Sequence, residues 1–168
     1  MTEIPDVRWG SSEGLLARVA SRFASTRLGS WSVRSLMPLD RRLLLRTNGR
    51  RTVLGPLGAP ILILETTGRR SGEPRLSPLL FARDGAGVIV VGSNFGQAHH
   101  PAWTGNLLAK PTAVVIAAGR RIPVTAALLE GDEAESAYQK LVDITPVYAA
   151  YRGRTDRQIR VFRLTPSA

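Results

Sequence analysis

Two pairs of short apolar runs, each closed by a tight glycine-bearing turn, set the strongest limit on what this chain can become. The first pair is Pro74–Arg83 and Val88–Gly92, joined at Asp84-Gly85. The second is Thr112–Ala118 and Arg121–Leu129, joined at Gly119-Arg120. Strand-length runs on either side of such turns are hairpin signals. A further apolar run, Ile61–Thr67, ends at Thr66-Thr67-Gly68, and Ile159–Leu164 completes the set. Five or six short, mainly antiparallel strands interrupted by two helical excursions predict a closed or half-closed barrel. The strand–helix alternation of a doubly wound sheet is missing. The expected class is therefore α+β, built on a small barrel.

The rest of the chain reads as helix. Leu15, Val19 and Phe23 repeat every four residues, as do Leu16, Ala20 and Ala24, so a helix is expected from Ser12, with Gly29 as its stop. A second, basic helix is expected over Pro38–Arg46, where Leu39, Leu43 and Leu44 alternate with Arg41, Arg42 and Arg46. Further helices are expected from about Pro101, over Asp132–Ile144 and over Pro146–Arg152. Residues 1–48 then form a helical lead-in to the same unit, and 49–168 the barrel.

Composition closes off several function classes. There is no cysteine among the 168 residues, so disulfides, thiolate nucleophiles and cysteine metal sites are excluded. No apolar run reaches the ~20 residues of a spanning helix, and the N-terminus lacks a secretory pattern, so a cytoplasmic location is expected. The formal charge is +10, yet only Lys110 and Lys140 are lysines among 23 basic residues. The arginines are scattered, without a helix-turn-helix or RNA-binding motif, so no nucleic-acid partner is expected. An anionic small ligand or an anionic membrane surface accounts for the charge equally well. Apolar stripes and basic faces over Ser12–Leu28, with Arg41, Arg42 and Arg46, suit peripheral contact with the inner face of the cell membrane; simple packing on the domain is the alternative.

Three segments have the residue types that chemistry needs. In Thr66–Arg75, Gly68 and Gly72 flank Arg69, Arg70 and Ser71 between two strands. Glycines allow close backbone approach, and adjacent arginines supply bidentate donors for phosphate or carboxylate; the competing reading is a solvated turn. In Gly92–Pro111, small polar residues end a strand, and Trp103 and Asn106 stand three apart at a helix start, where an indole and an amide share a face. Trp103 as core and Asn106 as a cap is the alternative there. His99 and His100 are adjacent, have no third ligand in view, and read as solvated loop residues; no metal site is expected. In Thr145–Arg157, Tyr148 and Tyr151 stand three apart, either lining a pocket with their phenols or packing half-buried. No nucleophile–base arrangement or paired-carboxylate site is present, so an enzyme of this kind needs a cofactor for the hard chemistry.

At these three segments the chain resembles the deazaflavin-dependent nitroreductases of actinobacteria. The resemblance covers roughly Ile61–Pro166 and rests on TTGRRSGEPRLSPLLF, VIVVGSNFGQAHHPAWTGNLLAKP and TPVYAAYRGRTDRQIRVFRLTP, in that order. It implies a split β-barrel of FMN-binding-like type with flanking helices. It also implies coenzyme F-420 as the hydride donor, and acceptors such as quinones and, in some members, nitroaromatics. By resemblance, Arg69, Arg70 and Ser71 hold the cofactor's phosphate and acidic tail. Arg75 and Ser77 line the same groove, and Leu79 contacts the ring system. Gly92, Ser93 and Asn94 face the deazaflavin ring, Trp103 and Asn106 close over the phosphate, and Tyr148 and Tyr151 lie on the acceptor side. Ser93, Tyr148 and Tyr151 are the catalytic candidates, as donors to the acceptor oxygen or proton relays. Two departures stand out: Asn94 where nitroreductive members have lysine, and Thr145 where they have a further tyrosine. An FMN-dependent reductase of the same barrel type and a non-catalytic cofactor or lipid carrier are the rival readings. A homodimer is compatible with either.

Overall fold

A computed structural model of the chain describes residues 60–167 without a break, together with 4–5, 26, 35, 38–39, 41–47 and 50–51. The six strands are β1 (Ile61–Thr67), β2 (Pro74–Asp84), β3 (Gly87–Val91), β4 (Thr112–Ala117), β5 (Arg120–Leu129) and β6 (Val161–Pro166). The helices between them are α1 (Ala102–Ala109), α2 (Gly131–Ile144) and α3 (Val147–Arg152). The strands close into a barrel in the order β1-β2-β3-β6-β5-β4, with every neighbouring pair antiparallel. This is the expected antiparallel barrel with flanking helices.

Alternation along the strands explains why the barrel fills. Leu62 and Leu64, Val88 and Val90, and Phe162 and Leu164 are each two apart, and all six are buried inside. Helix α1 stops one end of the barrel, with Trp103 and Leu107 reaching into the interior cluster and the Trp103 ring lying 5.7 Å from that of Phe162. Truncating one of the interior leucines to alanine should cost about 2–5 kcal/mol.

Two outer clusters coat the barrel. Helices α2 and α3 lay Tyr138, Leu141, Tyr148 and Tyr151 over the outward residues Ala82, Ile89 and Val91. A helical run at 41–46 seats the fully buried Leu44 over Ile61, Ile63 and Ile116. An ionic clasp holds α2 in place: Asp84 accepts from Lys140 and from Arg163, and Arg163 also reaches Glu133 at 2.7 Å.

The boundaries moved by small amounts for identifiable reasons. The second hairpin turns at Ala118-Gly119 rather than Gly119-Arg120, because Arg120 pairs with Ala117 in the ladder. Ala118 and Gly119 have φ of +50° and +78°, the two positive values that match a tight turn to the twist of its strands. Strand β6 begins at Val161, not Ile159, since Val161 pairs with both Val91 and Leu129 while Ile159 packs in the outer cluster. The helix expected over Ser12–Leu28 lies outside the described residues except for Thr26, and among the described residues no helix is long and apolar enough to cross a membrane.

Candidate functional site

A groove of about 480 Å³ opens beside α1 and the β1–β2 connection. Its walls include Arg69, Arg70 and Ser71 of that connection, Arg75 and Ser77 of β2, Trp103 and Asn106 of α1, and Arg41 from the N-terminal helical run. Seven of the residues expected to hold a cofactor are thus brought together. Arg41 was not expected there, because a basic residue on an amphipathic run carries no sign of which element it will face.

The connection is a built turn. The Gly68 N–H donates to Glu73 O at 2.8 Å, the Gly72 N–H donates to Gly68 O at 2.8 Å, and Gly72 has a φ of +69°. Ser71 Oγ accepts from Arg75 Nη2 at 3.1 Å and from the Glu73 N–H at 3.3 Å. Asn106 fixes the turn from behind: its Oδ1 accepts from the Arg69 N–H at 3.1 Å, and its Nδ2 donates to Thr66 Oγ1 at 3.0 Å. A buried amide so engaged orients the turn, and the exposed guanidiniums of Arg69 and Arg70 are left facing the groove. Trp103 combines both sequence readings, packed in the core and bordering the groove.

Gly105 completes this wall. A Cβ at that position would lie 2.5 Å from Arg69 Nη1, so the guanidinium comes up against α1 where no side chain stands. Sequence reading missed it, since a lone glycine in a helical pattern ordinarily reads as a weak point.

The other expected residues, Leu79 apart, form a second group that meets α1 at Thr104. Gly92 follows β3, and its missing Cβ admits Thr104 Cγ2. Ser93 is buried and begins a short 3-10 turn, Asn94–Gly96. Asn94, Phe95 and Gly96 have φ of +47°, +57° and +74°, a left-handed run that costs about 1–2 kcal/mol for each non-glycine residue. Asn94 offsets part of this by donating from Nδ2 to His99 O at 3.0 Å. The Phe95 and Tyr151 rings meet edge to face at 5.6 Å, and those of Tyr148 and Tyr151 at 5.9 Å. Ser93, Tyr148 and Tyr151 thus share one neighbourhood, apart from the arginine groove. Tyr148 is more deeply packed than a pocket wall requires; burial holds its phenol protonated, well above the ordinary value. Leu79 turns toward the barrel interior.

One arginine organises this second group. Arg157 donates from Nη2 to Ser93 O at 2.7 Å and to Gly92 O at 3.0 Å, from Nε to Gln97 O at 2.9 Å, and from Nη1 to His100 Nδ1 at 3.1 Å. Arginine has no acceptor, so His100 Nδ1 must be unprotonated. Burial first, then Arg160 and Arg157, hold His100 below its ordinary pKa. Of the two histidines, His99 is solvated as expected and His100 is not. Among the described residues no cluster has the make-up of a metal site.

Residues 43–166 match the sequence family described as F420-H2-dependent quinone reductase. A quinone reductase of that description from Mycobacterium tuberculosis strain H37Rv is 33% identical over 135 residues, covering 77% of this chain and 89% of the relative. A solved F420-H2-dependent reductase superposes with a TM-score of 0.58 at 38% identity, over 62% of this chain and 93% of that one. A solved domain-swapped dimer gives a TM-score of 0.59 at 32% identity, over 79% of this chain and 98% of its own.

Proposed function

The chain belongs to the F420-H2-dependent quinone reductase family, and we propose that it passes a hydride from reduced coenzyme F-420 to a quinone, with the arginine groove as the anchor for the coenzyme. The observation that carries the placement is the donor set: Arg41, Arg69, Arg70 and Arg75 line one groove, with no carboxylate among its described lining residues. Such a set fits a ligand bearing phosphate and carboxylate groups. FMN, with a single phosphate, is the lesser candidate.

When bound, the deazaflavin supplies the hydride. The protein's own task is orientation and charge. Arg69 and Arg70 fix the anionic end while Asn106 keeps their turn from swinging. The backbone at Gly92–Asn94 is the surface offered to the ring. Tyr148 and Tyr151, beside that loop through Phe95, are the proposed donors to the acceptor oxygen. Ser93 is the third candidate on the same loop. Thr145 leaves this side without a further aromatic wall, so bulky nitroaromatics should be reduced more slowly than quinones. A cytoplasmic location, peripheral contact with the membrane and a homodimer belong to this same reading.

Anaerobic mixing of the protein with the reduced coenzyme and a soluble quinone tests it directly. Loss of the reduced-coenzyme signal, with FMN binding at least tenfold weaker, is the expected result. Tight coenzyme binding without turnover across a quinone panel would replace the enzyme by a carrier.

A further inference from the structure

We propose that Arg157 is a positioning residue for hydride transfer: its guanidinium straps the backbone of the 92–97 loop into the shape that receives the cofactor ring. The inference rests on the reading that Gly92–Asn94 faces that ring. Three carbonyls of the loop, those of Gly92, Ser93 and Gln97, accept from this one side chain, at distances from 2.7 to 3.0 Å. Between them lie Asn94 and Phe95, two non-glycine residues in left-handed conformation. Such a backbone persists only where its surroundings over-determine it. A planar five-donor fork does so at three carbonyls at once, which a lysine ammonium on a flexible stem does not reproduce.

The strap also reaches beyond the loop. The bond from Nη1 to His100 Nδ1 leaves Nε2 as the protonated nitrogen of a neutral imidazole. His100 precedes Pro101, the N-cap of α1, and α1 forms one wall of the arginine groove. One guanidinium therefore ties the ring-facing loop to the approach of the helix beside the anionic tail. It touches neither the groove nor the proposed acceptor oxygen, so its contribution is to geometry.

The expected signature is a split between affinity and turnover. Arg157→Lys should bind coenzyme F-420 within threefold of wild type, while kcat for quinone reduction falls about ten- to a hundredfold, as a misplaced reacting pair requires. Amides of residues 92–97 should exchange faster in the cofactor-free variant. In Arg157→Ala the nitrogen-15 pattern of His100 should change from a single Nε2-protonated tautomer to a mixture, a readout independent of activity. Unchanged kcat in a folded Arg157→Lys variant overturns the proposal, as does a loss confined to coenzyme affinity. Unfolding of both variants overturns it too, since the strap would then serve the whole domain rather than the loop. A wild-type protein that binds no coenzyme refutes the underlying reading instead, and leaves the His100 tautomer and the exchange rates to judge the strap.

Discussion

The β1–β2 turn and the 92–97 loop both meet α1, at Asn106 and at Thr104 respectively, and they use arginine in opposite ways. At the turn, a neutral amide from Asn106 holds the backbone and the guanidiniums of Arg69 and Arg70 border the groove. At the loop, a guanidinium holds the backbone, and what is left over is the loop's own surface. The first arrangement gathers charge, the second fixes shape. A net charge of +10 hides this division, because the same residue type performs both tasks.

The comparison breaks most visibly at Arg70. Arg70→Ala should weaken coenzyme binding about ten- to a hundredfold, since a hydrogen bond to a charged group contributes about 1.5–3 kcal/mol. The loss should shrink as salt rises, and kcat at saturation should hold. A titration at two ionic strengths checks this; an affinity unchanged within twofold returns the turn to the solvated reading.

Tyr148→Phe probes the shape side. Without the phenol hydroxyl, quinone reduction should drop about tenfold or more, with coenzyme affinity retained. Equal kcat for mutant and wild type would remove Tyr148 from the acceptor side.

Gly105→Ala is subtler, because its two effects have opposite signs. An alanine inside a helix is favoured by up to about 1 kcal/mol over glycine, while the added Cβ displaces the Arg69 guanidinium. Thermal stability should stay level or rise, and coenzyme affinity should fall roughly three- to tenfold. A stable variant with full affinity would mean that Arg69 does not need to come up against α1.

The smallest effect is expected away from both regions, at the ionic clasp. Asp84 is held below its ordinary pKa of 3.8, first by Lys140 against the opposing effect of burial, then by Arg163. A lowered carboxylate contributes its stability above that ordinary value and loses it as the pH falls through the lowered one. Asp84→Asn should therefore lower the melting temperature by a few degrees at pH 7, and the deficit should shrink as the pH is taken below 3.8. A constant deficit across that range would assign the effect to packing.

The barrel was legible because its signals are local: imperfect alternation in Pro74–Arg83, glycine turns, and apolar runs at Ile61–Leu64 and Val88–Val91. The arginine turn was legible for the same reason, with glycines and cations side by side in sequence. Arg157 was not. It is one of a closely spaced set with Arg152, Arg154, Arg160 and Arg163, and its partners are backbone carbonyls some sixty positions away, which no residue pattern encodes. Gly105 was hidden by its own ambiguity, since a missing side chain announces nothing about what occupies the space. Tyr148 was read correctly as to its neighbours, but the depth of its burial depends on Tyr138, whose hydroxyl reaches the Tyr148 carbonyl at 2.6 Å.

Closure of the barrel limits how two copies can meet. Among the described residues each of the six strands has a neighbour on both sides, so none offers its whole edge to a neighbour's backbone, although part of β2, Pro74–Leu80, is paired on one side alone. Two molecules can therefore associate face to face, or by one surrendering a whole segment so that the other's segment takes its vacated position. The second route must first break ladders within each barrel. Its rate is then governed by partial unfolding rather than by encounter, and species formed that way should persist on dilution long after a face-to-face pair has come apart.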